Sequence, residues 1–334
     1  MADIIRAVQY GCGPIGCSVA ALASRRAGIE LIGAVDIDPE KVGKDLGQVA
    51  GLGQDVGVLI TDDFATLAAG QKPDVVFHTT GSSFERVFDQ LVSIAEAGVN
   101  VVSTCEELSF PWRRAPELAA QLDEVARKHD VTILGTGINP GFLMDLWPLA
   151  MTGVVQKVTK VRSMRIQDAT TRRLPFQQKI GAGRTPEEFQ QLIALGTLRH
   201  VGLPESLEMI ADGLGWDLDD VTESIEPVMA EKQVSSQYMT VEPGQAAGVK
   251  QVAIGRSGGK VVLELEFQAF LGAPDSYDAV YIEGEPNMEV VVKGGTHGDL
   301  GTAAMTVNAA RRVVEALPGL KTMKDLPVPL SVGI

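Results

Sequence analysis

The chain has 334 residues, of which 45% are hydrophobic and 22% are charged, so it holds enough apolar material for two folded cores. Its formal net charge of −14 repels phosphate backbones and excludes nucleic acid as an expected partner. No stretch approaches the roughly 20 uninterrupted apolar residues of a membrane helix, and the N-terminus lacks a basic signal-peptide region. Three cysteines, Cys12, Cys17 and Cys105, cannot all pair, and we expect a reduced, cytoplasmic protein.

The first half of the chain alternates between strand-like and helix-like segments. A buried strand is predicted at 4–9, a helix over the Ala-rich stretch up to about Arg26, and the next strand at 30–36. The later segments continue this alternation, with strands predicted at 57–61, 74–79, 99–104 and 131–135 and helices at 84–97 and 115–129. Such alternation is typical of a doubly wound parallel sheet. We therefore predict an α/β fold with an N-terminal Rossmann domain over residues 1–146.

The pattern changes after residue 146, where longer strands follow one another with few helices between them. The predicted strands lie at 157–167, 232–241, 247–255, 260–271 and 288–293, and the predicted helices at 186–198 and 204–214. Successive strands favour a mostly antiparallel sheet, so we predict an α+β domain at 147–299 for substrate binding and homodimerisation. An amphipathic helix at 302–317 ends at Pro318-Gly319. We expect residues 300–334 to return to the first domain.

A glycine fingerprint lies between the first predicted strand and the first predicted helix. Its glycines are Gly11, Gly13 and Gly16, with Pro14 and Ile15 between the last two. Such glycines allow a tight turn, a close approach of a pyrophosphate to the backbone, and close packing of helix against strand. The helix N-terminus also offers free N–H groups to the phosphates. We expect these five residues to bind a dinucleotide.

The second predicted strand ends in an acidic residue at the position that binds ribose hydroxyls in such domains. Asp36 lies 20 residues after Gly16 and is followed by Ile37, which we also expect at the cofactor. A carboxylate repels a 2′-phosphate, so NAD is the expected cofactor. Lys41 and Lys44 follow closely and leave NADP open as a second one.

Small polar residues follow the later strands of the first domain. Ligands of open α/β sheets bind beyond the carboxyl ends of the strands. We therefore expect the cofactor to contact seven residues there: Thr79, Thr80, Gly81, Ser103, Thr104, Cys105 and Asn139. No cysteine or histidine has the spacing of a metal ligand, and we expect no metal.

The segment Cys105-Glu106-Glu107 is the strongest candidate for chemistry. Carboxylates are seldom buried unpaired, and two of them at a strand end beside a nicotinamide suggest a general acid/base. An alternative is a Cys105 nucleophile, as in an acylating aldehyde dehydrogenase. Two adjacent acids would raise the pKa of that thiol, which argues against the alternative.

Candidate substrate contacts lie mostly after the glycine-rich loop at 135–141. Aromatic and aliphatic side chains are expected to form apolar walls, an arginine to bind a carboxylate, and two histidines to lie at the site. These residues are Phe142, Met144, Trp147, Arg172, His200 and His297.

Four strings in the chain resemble the 2,4-diaminopentanoate dehydrogenase-like group, which includes native amine dehydrogenases and is related to dihydrodipicolinate reductase. They are VVSTCEELSFPW at 101–112, GTGINPGFLMD at 135–145, QDATTRRLPFQQKIGAG at 167–183 and GGTHGDLGTAAMTVNA at 294–309. The resemblance spans essentially the whole chain. It implies NAD(P)-dependent deamination of an amine to a carbonyl and ammonia, and reductive amination in reverse.

The same resemblance implies that a glutamate of the Cys-Glu-Glu segment is the acid/base. Adjacent residues of a strand point to opposite faces, and spacing alone does not separate Glu106 from Glu107. In the related glucose–fructose oxidoreductase-like enzymes the catalytic Lys aligns with Glu107, which we therefore prefer.

Three other functions remain open. One is an imine or carbonyl reductase or dehydrogenase of the dihydrodipicolinate reductase or homoserine dehydrogenase kind. Another is a 2,4-diaminopentanoate dehydrogenase acting on a diamino acid. The third is a non-catalytic NAD-binding sensor. We favour a simple amine, because the Cys-Glu-Glu-Leu and Asn-Pro-Gly-Phe strings match that branch best.

Overall fold

The structure is a computed structural model that describes residues 4–331. The chain divides into two compact units. One unit holds the described residues up to Phe142 together with those from His297 onward, and the other is Leu143–Thr296. Within the described residues no helix is both long enough and apolar enough to cross a bilayer.

The first unit is built on a seven-stranded sheet in which all neighbouring strands pair in parallel. Its strands are β1 (Ile5–Tyr10), β2 (Ile29–Val35), β3 (Ile60–Thr61), β4 (Val75–His78), β5 (Asn100–Ser103), β6 (Thr132–Gly135) and β15 (Gly319–Lys321). Their order is β15-β6-β5-β4-β1-β2-β3, so the chain reverses direction across the sheet between β1 and β4. This order confirms the predicted doubly wound sheet.

The helices of the first unit connect these strands. They are α1 (Pro14–Ala23), α2 (Leu46–Val49), α3 (Phe64–Gln71), α4 (Phe84–Glu96), α5 (Pro116–Lys128) and α10 (Gly298–Val314), with 3₁₀ helices at Glu106–Leu108 and Met323–Asp325. The apolar faces of α4 and α5 pack on the sheet around the fully buried Leu91, Leu122 and Ile133. α10 packs beside α1.

The predicted strand at 57–61 is shorter than expected. Only Ile60 and Thr61 pair with β2. The buried Asp45 carboxylate accepts the backbone N–H groups of Val56 and Val58 at 2.9 and 3.1 Å. These donors therefore bind a side chain instead of a neighbouring strand.

The second unit is built on a six-stranded sheet of order β14-β13-β7-β12-β11-β8. Its strands are β7 (Lys157–Asp168), β8 (Asp220–Met229), β11 (Ala246–Ser257), β12 (Lys260–Phe270), β13 (Tyr277–Glu285) and β14 (Met288–Lys293). β7 and β12 pair in parallel, and the other neighbours are antiparallel, so the predicted mostly antiparallel sheet is confirmed. The helices are α6 (Leu146–Thr152), α7 (Leu174–Lys179), α8 (Pro186–Ala194) and α9 (Leu203–Leu214).

The single strand predicted at 232–241 is wrong. The segment forms two short paired strands, β9 (Val234–Ser235) and β10 (Thr240–Val241). The Ser236 hydroxyl accepts the N–H groups of Tyr238 and Met239 at 3.1 and 3.2 Å, which closes a turn in the middle of the segment. β8 and β13 lay outside the sequence prediction. β8 is an edge strand, and few of its residues are apolar enough to show alternation.

Gly16 is the position in the first unit where the absence of a side chain matters most. A Cβ there would collide with the carbonyl oxygen of Gly11 and would lie 2.7 Å from Thr79 Oγ1. A Cβ at Gly13 would meet no atom within 4 Å, and its φ of −75° suits any residue. Close packing of the α1 N-terminus on the β1 loop therefore depends on Gly16.

We predict that Gly16→Ala lowers the free energy of unfolding by at least about 2 kcal/mol, because a backbone oxygen cannot move aside easily. Gly13→Ala is the matched control and should change it by less than about 0.5 kcal/mol. Urea unfolding followed by circular dichroism measures both. Equal stability of the two variants would contradict this role for Gly16.

Candidate functional site

The fingerprint loop after β1 is held in place by two side chains. Gln9 is fully buried, and its Nε2 donates to the carbonyl oxygen of Gly11 at 2.8 Å and contacts Thr79 Oγ1 at 2.9 Å. Thr79 Oγ1 donates to the same Gly11 carbonyl at 2.7 Å. Thr79 therefore braces the loop at the end of β4. Gln9 was missed from the sequence, where a single polar residue in a buried strand was its only signal.

α1 begins immediately after this loop. Gly13 is its N-cap and Pro14 its first residue, and no side chain caps the free N–H groups. Pro14 is exposed, whereas Ile15 is half-buried and Gly16 is buried. This uncapped helix start is an anion-binding geometry suited to a pyrophosphate.

Asp36 follows β2 beside the same loop. Its carboxylate accepts the backbone N–H groups of Cys12 and Asp38 at 2.7 and 2.9 Å and pairs with Lys41 Nζ at 3.1 Å. Burial opposes its ionisation, but these bonds outweigh burial and hold the pKa of Asp36 below its usual value. Asp36 is thus a charged carboxylate with an ammonium group beside it. Ile37 next to it is 86% exposed.

The turn after β5 carries the two candidate carboxylates. Glu106 and Glu107 lie in the 3₁₀ helix Glu106–Leu108, so the expectation that they alternate along a strand is wrong. The Ser109 hydroxyl donates to the carbonyl oxygen of Glu106 at 2.7 Å, which favours this tighter winding. Both side chains are half-buried.

Both carboxylate oxygens of Glu107 have a bonding partner. Oε2 accepts the backbone N–H of Phe84, the first residue of α4, at 2.9 Å. Oε1 pairs with Arg114 Nη2 at 3.0 Å. The backbone N–H of Glu107 also donates to the carbonyl oxygen of Ser82 at 3.3 Å. Glu107 therefore ties the loop after β4 to the turn after β5.

Cys105 is buried, with 1% of its surface exposed. Burial raises the pKa of its thiol above the ordinary range, and Glu106 and Glu107 raise it further. A thiol in this environment stays protonated and is a poor nucleophile. The geometry therefore opposes the alternative of a Cys105 nucleophile.

His78, at the end of β4, is a buried polar residue that the sequence reasoning missed. Its Nδ1 lies 2.9 Å from Ser103 Oγ, and its Nε2 lies 2.9 Å from both Gln90 Oε1 and Thr80 Oγ1. Burial lowers the pKa of His78 to about 4, so the ring is neutral near pH 7. Ser103 and Thr80, expected as cofactor contacts, belong to this hydrogen-bonded group.

The loop after β6 contains a buried amide. Asn139 is 8% exposed, and neither its side-chain oxygen nor its nitrogen has a hydrogen-bond partner within residues 4–331. An unpaired buried polar group costs about 1–3 kcal/mol. The carboxamide of a nicotinamide offers a matching donor and acceptor. Together with the fingerprint loop and Asp36, Asn139 fits a nicotinamide dinucleotide.

The remaining expected residues of the first unit lie around these loops. Gly81 is exposed, and Thr104 and Phe142 are half-buried. The backbone N–H of Thr104 donates to the His78 carbonyl oxygen at 2.9 Å. His297 is the N-cap of α10, and its Nδ1 accepts the N–H of Leu300 at 3.4 Å.

Four of the expected substrate residues belong to the second unit. Met144 is fully buried, and Trp147 is half-buried on α6. Arg172 is buried over the Phe176 ring at 4.1 Å, and its Nη1 donates to Gln167 Oε1 at 3.3 Å.

His200, the fourth, packs its ring on Phe267 at 4.5 Å. Burial, with help from nearby cations, lowers the pKa of His200 to about 3, so this ring is also neutral near pH 7. Among residues 4–331 no group of three His, Cys, Asp or Glu side chains is arranged to hold a metal.

Two family models match the chain. Residues 142–333 match the 2,4-diaminopentanoate dehydrogenase C-terminal domain. Residues 5–109 match the N-terminus of dihydrodipicolinate reductase.

Similar proteins span nearly the full length. The 2,4-diaminopentanoate dehydrogenase of Acetoanaerobium sticklandii is 34% identical over 98% of this chain and 95% of its own. An amine dehydrogenase of Streptomyces virginiae is 24% identical, covering 99% and 98% of the two chains. The solved structure of an amine dehydrogenase from Mycobacterium smegmatis superposes with a TM-score of 0.85 at 27% identity, covering 98% of each chain.

Proposed function

The chain belongs to the family of the 2,4-diaminopentanoate dehydrogenases and their amine dehydrogenase relatives, and we propose that it is an NAD(P)-dependent amine dehydrogenase. It would convert an amine to a carbonyl compound and ammonia, and run reductive amination in reverse. The observation that carries the proposal is the carboxylate pair Glu106–Glu107, held on a turn beyond the carboxyl end of β5 in a dinucleotide-binding sheet. A sensor that only binds cofactor has no use for such a pair.

The first unit supplies the cofactor contacts. Gly11, Gly13 and the α1 N-terminus would hold the pyrophosphate, Asp36 the ribose, and Asn139 the nicotinamide amide. When bound, the nicotinamide supplies or removes the hydride. The three cysteines are all free thiols, which suits a reducing cytoplasm.

The carboxylates supply proton transfer and charge stabilisation. In reductive amination ammonia adds to the substrate carbonyl, and a proton shuttle lets the adduct lose water to give a cationic iminium. A nearby carboxylate also stabilises that cation. Glu107 is already bound to Phe84 N–H and Arg114. Glu107 therefore holds the turn, and we propose that the proton is transferred by Glu106 or by Glu107 itself, which the variants below distinguish.

A buried arginine in the second unit favours a substrate with an anionic group over a simple amine. Arg165 is 2% exposed, pairs with Asp278 at 3.6 Å, and donates to the Thr296 carbonyl at 2.6 Å. Its Nη1 has no partner among residues 4–331. Such a guanidinium nitrogen suits a carboxylate, and Arg172 adds positive charge nearby.

We predict that the enzyme oxidises NADH or NADPH on a carbonyl compound only when ammonium is present, with keto acids preferred to simple ketones. If Glu106 transfers the proton, Glu106→Gln, which keeps the shape but cannot accept a proton, should lower kcat at least about 100-fold. The Kd of NADH, measured by fluorescence, should stay unchanged. Turnover without ammonium would instead identify an imine or carbonyl reductase.

Glu107→Gln and Arg114→Gln are the matched controls. If Glu107 holds the turn through Arg114, both variants should lose activity to a similar and smaller extent. A dead Glu107→Gln beside active Glu106→Gln and Arg114→Gln variants would return the acid/base role to Glu107. Near wild-type amination in both glutamate variants would refute the mechanism.

Lys41 and Asp36 decide the choice between NAD and NADP. We propose NAD as the preferred cofactor, with NADP accepted because Lys41 lies 3.1 Å from the carboxylate that would repel a 2′-phosphate. Asp36→Ala should shift the kcat/KM ratio toward NADP, and Lys41→Ala should shift it toward NAD. Ratios that do not move in opposite directions would show that this pair does not recognise the ribose.

We propose that the protein is a homodimer joined through one face of the six-stranded sheet. Half-buried apolar residues on this face, such as Ile166 and Ile254, lie among alternating charges. Arg162 pairs with Glu264 at 3.2 Å and with Glu266 at 3.4 Å. A face with interleaved apolar and charged rows suits a second copy of itself, related by a twofold axis.

Light scattering should therefore give twice the chain mass at micromolar concentration. Ile166→Asp places a charge in the middle of this face and should yield monomers. Leu317→Asp is the control, because Leu317 is 81% exposed and belongs to the first unit. A monomeric wild-type protein would refute the dimer.

A further inference from the structure

We propose that His78 is a positioning residue that, as a neutral imidazole, fixes the start of the turn carrying Glu106 and Glu107. The catalytic part of this inference rests on the proposed amine dehydrogenase function. His78 is fully buried at the end of β4 and lies outside the set of residues assigned to cofactor or substrate. It therefore acts through other groups.

One continuous chain of hydrogen bonds joins the Cys105 backbone to α4 through the His78 ring. The backbone N–H of Cys105 donates to Ser103 Oγ at 3.1 Å. Ser103 Oγ then donates its own proton to His78 Nδ1 at 2.9 Å. On the other side of the ring, Nε2–H donates to Gln90 Oε1 at 2.9 Å, and Thr80 Oγ1 donates to the same oxygen at 2.7 Å.

This chain of bonds requires one tautomer of the ring. The Gln90 oxygen can only accept, so Nε2 must carry the proton and Nδ1 must be the acceptor. A protonated ring would donate at Nδ1 as well, so the Ser103 hydroxyl would have to accept from the ring and could no longer donate to it. Burial keeps the ring neutral, since its pKa is lowered to about 4. The ring of Tyr10 packs against it at 5.6 Å.

The residues that His78 connects come from three elements. Gln90 lies in α4, Ser103 ends β5, and Cys105 is the N-cap of the 3₁₀ helix. The backbone carbonyl oxygen of His78 also accepts the Thr104 N–H at 2.9 Å. His78 thus fixes both residues that lead from β5 into the Glu106 turn. A small displacement of a catalytic carboxylate can reduce turnover by as much as about 100-fold.

Four variants separate this role from simple packing. His78→Asn keeps an acceptor near the Nδ1 position, and His78→Gln reaches Gln90 but loses the acceptor for Ser103. Ser103→Ala removes the hydroxyl, and Ser103→Thr keeps it. We expect kcat to fall about tenfold or more in His78→Gln and Ser103→Ala. His78→Asn and Ser103→Thr should stay within about threefold of wild type, with the NADH Kd unchanged throughout.

The double variant His78→Gln/Ser103→Ala should be no slower than either single variant, because both break the same bond. His129→Gln, at the C-cap of α5, is the control for replacing a histidine and should keep full kcat. If His78→Gln and Ser103→Ala lose thermal stability but keep kcat per folded molecule, the residue is structural only and the proposal is wrong.

Two readouts do not depend on turnover. In ¹⁵N NMR, His78 should show the Nε2–H tautomer and should not titrate between about pH 5.5 and 9. In hydrogen exchange, the Cys105 amide should lose protection in Ser103→Ala and His78→Gln. A wild-type enzyme without amination activity would defeat the proposed function but leave these tests decisive. A titrating His78, or unchanged Cys105 protection, would overturn the positioning role.

Discussion

The candidate site depends on the hydrogen bonds that join two loops beyond the carboxyl ends of β4 and β5. The Phe84 N–H donates to the Glu107 carboxylate, and the Glu107 N–H donates to the Ser82 carbonyl. Each bond fixes a group on one loop with a group on the other. The same contact satisfies the first backbone N–H of α4 and fixes the orientation of the 3₁₀ helix. Together with the hydrogen bonds around His78, this contact fixes the turn that carries Glu106.

The contacts of Glu107 explain why this residue has a structural role. The Glu107 carboxylate binds the first N–H of α4 through one oxygen and Arg114 through the other. Glu106 lies next to Glu107 on the same 3₁₀ helix, so the contacts of Glu107 also fix the backbone at Glu106.

The features that could be predicted from the sequence are those that depend on local residue patterns and on the positions of glycines. The fingerprint from Gly11 to Gly16, the alternation of strand and helix, and the acid at Asp36 identify the doubly wound sheet and its cofactor edge. The 3₁₀ helix was not predictable, because winding at Glu106 depends on Ser109 and on a loop more than 20 residues earlier. His78 looked like an ordinary strand residue, since its partners Gln90 and Ser103 are distant in sequence. The edge strand β8 lacks the apolar alternation on which strand prediction depends.

The path of the chain also sets the order in which the molecule can be completed during synthesis. β15 pairs with β6 at the edge of the first sheet, and α10 packs beside α1. Both lie between Gly298 and Lys321, so they are synthesised after the whole second unit. Until then β6 presents an unpaired strand edge, the kind of surface that recruits foreign strands. The second unit is continuous in sequence and can fold first, so the cofactor-binding sheet is finished last.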